Sequence, residues 1–137
     1  MDISDVFSKA GVLFLSAVRD TVTQHEENAV KDEYINGLYR MTAALYEAKV
    51  DENEIIRLIQ KYYEITNSEA EEALRIEKQI MCPCRLLEEY LKRENNFSKQ
   101  EAVDYINYHN TVEKLQGNPK LARLKGKELY NYLERNS

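Results

Sequence analysis

Tryptophan is absent from this chain, proline occurs twice and glycine four times in 137 residues. A protein of many β-strands needs glycine and proline for its tight turns, so the scarcity of both argues against a sheet. Cysteine is equally sparse. Cys82 and Cys84 are the only two, and one Cys-x-Cys pair builds no disulfide framework of the secreted kind. Long apolar runs are also missing: the longest, Ala10 to Val18, falls well short of the roughly 20 residues that span a bilayer. No membrane association is expected. The chain opens on Asp2 and Asp5 with no basic leader and no small-residue cleavage site, so cytoplasmic residence is expected.

The signatures of chemistry are missing as well. No glycine-rich phosphate loop, Glu-x-x-His metal pair or Gly-x-Ser-x-Gly elbow occurs. The two histidines, His25 and His109, lie in no close zinc spacing with the cysteines. The expectation is therefore a protein that is not an enzyme and has no catalytic residue, cofactor or metal. Cys84 near a helix start would have a favoured thiolate, yet the spacing to Cys82 strains a direct disulfide. Two small residues buried where consecutive helices cross is the simpler reading of the pair. His109 reads as a satisfied, half-buried residue on an inward stripe, and His25 as a solvated turn residue.

Helix starts, in contrast, are plainly written. Asp51/Glu54, Thr66/Glu69 and Ser98/Glu101 all have capping-box spacing, with Val50/Ile55, Ile65/Ala70 and Phe97/Ala102 as apolar staples. Pro83 after Cys82 and Pro119 after Asn118 fit the first position of two further helices, and Gly117 fits a stop. Between these marks apolar residues recur at helical spacing. Ile3 to Val18 line a first helix, and Val30, Tyr34, Leu38, Met41, Leu45 and Ala48 a second. Ile55 to Tyr63 mark a third, Ala70 to Ile80 a fourth and Leu86 to Leu91 a fifth. A sixth carries Ala102, Ile106, His109 and Val112, and short pieces near Leu121 and Leu129 to Leu133 follow. The join near His25 lacks glycine and proline; a turn capped by Asn28 is preferred to one long helix. The prediction is an all-α, compact bundle of about six helices with short connections and a short helical C-terminal piece, forming one domain over residues 1–137. The first helix is apolar nearly all round. It is expected at the bundle centre, with a homodimer contact through it as the other reading.

Function is read from what remains on the surface. Ten tyrosines are too many for one small core to bury with every hydroxyl satisfied. Exposed tyrosine is enriched at binding hot spots. Residues 111–137 hold three more basic than acidic side chains, leaving −8 for the rest of a chain of net charge −5. These features point to a protein-binding partner rather than a substrate. The expected docking residues are Tyr62, Tyr63, Glu69, Glu71, Glu72, Tyr105 and Tyr108. Lys120, Arg123, Lys125 and Lys127 form a candidate basic contact patch. A basic protein that handles nucleic acid is the expected partner, with the chain as an acidic regulator or inhibitor. The alternative is a small, dimeric DNA-binding regulator using residues 55–80 as a helix-turn-helix. Its second helix would expose Glu69, Glu71 and Glu72 against Arg75 alone, and carboxylates repel phosphate. Direct binding of nucleic acid is therefore not expected.

Overall fold

The computed structural model describes the backbone of residues 28–136 and the side chains from Glu33 onward. The predicted first helix, the turn near His25 and the homodimer contact lie outside the described residues. Every regular element among those described is helical, with no strand, so the chain is all-α. Their contacts group into two compact units, one ending at Glu77 and the other starting at Lys78.

Among the described residues, the unit that ends at Glu77 contains α1 (Asn28–Glu47), α2 (Glu52–Tyr63) and α3 (Asn67–Ile76). Asp51 starts α2 by accepting from the Asn53 N–H at 3.1 Å, but the predicted box is not completed. The Glu54 carboxylate turns forward to the Arg57 guanidinium, one helical turn on, where it gains a charged partner. At α3 the box is complete. Thr66 Oγ1 accepts from Glu69 N–H at 3.1 Å, and Glu69 Oε1 accepts from Thr66 N–H at 2.7 Å. Glu64 ends α2 in the left-handed region, its N–H bonded to the Gln60 carbonyl at 2.9 Å.

The buried face of α1 differs from the predicted stripe. Ile35, Leu38, Tyr39 and Thr42 are buried, whereas Tyr34, Met41 and Leu45 are half-buried and Ala48 is exposed. Two rows three and four residues apart share Leu38, and α1, which packs on α2 and α3, buries the other row. Thr42 satisfies its hydroxyl on the Leu38 carbonyl at 2.7 Å, so burial leaves it no orphan.

The second unit holds a π-helical turn (Glu77–Met81, beginning one residue before it), α4 (Cys82–Glu94), α5 (Lys99–Tyr108), α6 (Thr111–Gly117), a 3-10 turn (Pro119–Arg123) and α7 (Gly126–Arg135). Helix α4 packs on α5 and α7 through Leu87 and Leu91, which meet a core containing Val103, Ile106, Leu129 and Leu133. Gln79 Nε2 donates to the Leu115 and Gln116 carbonyls at 2.7 and 3.3 Å, covering the open end of α6.

The structure adds to three predictions. Pro83 lies in the first turn of α4, as expected, but no break precedes it: Met81 is itself right-handed helical and residues 77–81 are π-helical. A proline ring in a helix crowds the carbonyl four residues back, here Gln79; that residue sits in the widened π turn. Cys82 and Cys84 lie on the first turn of α4; Cys84 is buried, Cys82 half-buried, and no disulfide joins them. The predicted sixth helix is two helices, because Asn110 takes φ 53° and turns the chain after His109. Asparagine tolerates that conformation better than most side chains. Ser98 and Glu101 do form the predicted box at α5, with distances of 3.0 and 2.8 Å. Gly117 ends α6, and Asn118 caps the 3-10 turn that Pro119 opens.

Candidate interaction surface

In the second unit, α5 and α7 bring aromatic rings and one carboxylate together. The Tyr105 hydroxyl donates to Glu134 Oε2 at 3.0 Å, and the Tyr130 hydroxyl reaches Oε1 at 3.5 Å. The Tyr105 and Tyr130 rings stack with centroids 5.6 Å apart, and Tyr90 lies 5.5 Å beyond Tyr130. The His109 ring lies tilted against Tyr105, centroids 4.2 Å apart, and is buried, with Nε2 3.8 Å from Glu134 Oε2. Burial, then the hydrogen bond to Glu134, holds the Tyr105 phenol above its ordinary pKa. It therefore stays a neutral donor, fixing the carboxylate without cancelling its charge.

Tyr108 stands at the edge of this cluster, edge-on to His109 at 5.1 Å. It is 80% exposed, although burying a tyrosine removes 150 Å² or more from water. Glu101, Asp104 and Tyr108 follow at helical spacing and are all exposed, so one face of α5 is acidic and ends in an aromatic ring. Gln100 Nε2 donates to Asp104 at 2.8 Å and holds that carboxylate near the helix. Tyr105 and Tyr108 were named from the sequence; Tyr105 is half-buried with its hydroxyl on Glu134, and Tyr108 is exposed. Glu134 was not named, because its link to Tyr105 spans 29 residues; only its spacing of four from Tyr130 on one helix hinted at a pair.

The other predicted docking residues are in the first unit and are differently placed. Tyr62 is 62% exposed on α2, with Lys61 Nζ 5.4 Å from its ring centre. Tyr63 is half-buried: its ring meets Tyr34 edge-on at 5.4 Å, and its carbonyl accepts from the Tyr34 hydroxyl. Glu69 is not exposed as predicted but 5% exposed, since its carboxylate serves the start of α3. Glu72 is half-buried and holds Arg75, leaving Glu71, bonded by Asn67, as the exposed acid of the three. An open groove of about 590 Å³ runs beside it, lined by Asn53, Ile56, Arg57, Gln60, Lys61, Ile65, Asn67 and Glu71. Its polar lining holds three amides and three charged side chains. Helix α3 has no basic residue besides Arg75, which Glu72 already holds.

Lys120, Arg123, Lys125 and Lys127 are all exposed, across the 3-10 turn and the start of α7. Among the described residues, no group of three or more His, Cys, Asp or Glu side chains stands together as metal ligands. No described helix is long and apolar enough to cross a membrane. Comparison with family models, with curated proteins and with solved structures gives no match.

Proposed function

We propose that the chain is a small, non-enzymatic cytoplasmic protein that acts by binding another protein through the tyrosine-bearing acidic face of α5. The exposed Tyr108 ring carries this reading. A large amphipathic ring held out one helical turn after Asp104 offers apolar area and negative charge at one place, the combination that hot spots use. The complementary partner is a basic protein surface, and negative charge here speeds its encounter. Covering such a surface on a nucleic-acid-handling protein would make this chain an acidic regulator or inhibitor. Tyr62 is a second exposed ring, in the other unit.

Affinity capture from the native host tests the proposal, with wild type and Tyr108→Ala as parallel baits. Wild type is expected to recover a basic protein that Tyr108→Ala loses, with the purified pair binding at least about tenfold more weakly after the substitution. Identical recoveries from the two baits would contradict it.

A further inference from the structure

Residues 120–127 carry four basic side chains and no acidic one. Arg57, Arg75 and Arg93 each hold a carboxylate, from Glu54, Glu72 and Glu94. Lys120, Arg123, Lys125 and Lys127 hold none among the described residues, and all four are exposed. Lys120 and Arg123 lie three apart on a 3-10 turn, where side chains at that spacing eclipse, so two like charges share one direction. Lys125 is the residue before α7 and offers no side-chain cap, and Lys127 follows in its first turn. Both add to the positive end of a helix dipole, where cations are disfavoured.

None of this charge is needed to anchor the segment. Leu121 and Leu129 are buried, and Gly126 presses on α4 so closely that a Cβ there would lie 3.1 Å from Tyr90 Cβ and 3.3 Å from the Leu86 carbonyl oxygen. The backbone is thus pinned by apolar packing while the four cations are displayed outward. We infer that residues 120–127 form a docking surface for a short acidic segment of another protein, rich in aspartate and glutamate.

The surroundings favour a short occupant. Beside the patch an open groove of about 660 Å³ carries Glu89, Glu94 and Glu128 along with Arg93, Lys125 and Lys127. A nucleic-acid backbone longer than the patch would run onto these carboxylates, whereas a few consecutive acidic residues would pair with the four cations and stop. This surface uses residues other than the tyrosine face and stands whether or not that face binds a basic partner.

Fluorescence anisotropy tests the inference with the full chain and a labelled peptide of eight consecutive glutamates, against its glutamine counterpart, at about 20 mM salt, where screening is weak. The glutamate peptide is expected to bind, to weaken as salt rises, and to be preferred over the glutamine one. Lys120→Glu with Arg123→Glu should weaken it by about tenfold or more, the glutamine pair at the same positions by less, and Lys99→Glu on α5 by under about twofold. Absence of binding would overturn the inference. So would an equal loss in Lys99→Glu, or tighter binding of a single-stranded oligonucleotide of matched charge.

Discussion

Tyr39 shows how much one hydroxyl adds to a small core. Its side chain is 1% exposed, and burial, aided by the charge of Glu72, raises the phenol above its ordinary pKa, while Arg75 opposes this. The folded state therefore keeps a proton that the unfolded state releases above about pH 10. Its stabilising contribution is whole below that pH and declines as pH rises beyond it. Thermal melts between about pH 8 and about pH 11 are expected to show a falling midpoint, with a shallower fall in Tyr39→Phe. Gly126 is a second constrained residue. With φ 22° and Tyr90 Cβ at 3.1 Å, Gly126→Ala has to push α7 off α4, at a cost of about 1–3 kcal/mol by denaturant unfolding. Neither role was legible in the sequence. Glycine at a helix start reads as a turn residue until Tyr90 is found against it, and Tyr39 lies outside the row that includes Tyr34 and Met41.

Among the elements, the starts of α3 and α5 were the most legible because a capping box is local. Thr66/Glu69 and Ser98/Glu101 close their hydrogen bonds within four residues, so no distant part of the chain can redirect them. Asp51 was misjudged for an equally local reason: Glu54 has an arginine three positions on, and the charged pair outcompetes a reach back to a backbone N–H. Thr66→Ala and Ser98→Ala should therefore each lose about 1 kcal/mol in equilibrium unfolding. Glu54→Gln should leave the midpoint unmoved, since no cap depends on it. Element ends were harder to read. Glu64, Asn96 and Asn110 all take left-handed conformations that a search for glycine misses, and the division between α5 and α6 rests on Asn110 alone. The π turn before Pro83 is a consequence of proline in a helical context, and the sequence offered the start of a new helix as the simpler reading.

At the scale of the molecule, helical periodicity and scarce glycine and proline were enough for an all-α chain, because both are read locally along the sequence without knowing how distant parts meet. The surface was legible only in part. Tyr108 and the four cations were named from type and spacing, whereas the Tyr105–Tyr130–Glu134 cluster depends on α5 and α7 meeting across 29 residues. The central claim is that Tyr108 and the acidic face of α5 are where a partner sits. Placing a photo-reactive phenylalanine at position 108, and in parallel at exposed Glu113 on α6, tests this directly in the native host. Irradiation is expected to give one discrete cross-linked product from position 108 and none from position 113. The absence of a product at 108, or the same products from both positions, would contradict the account.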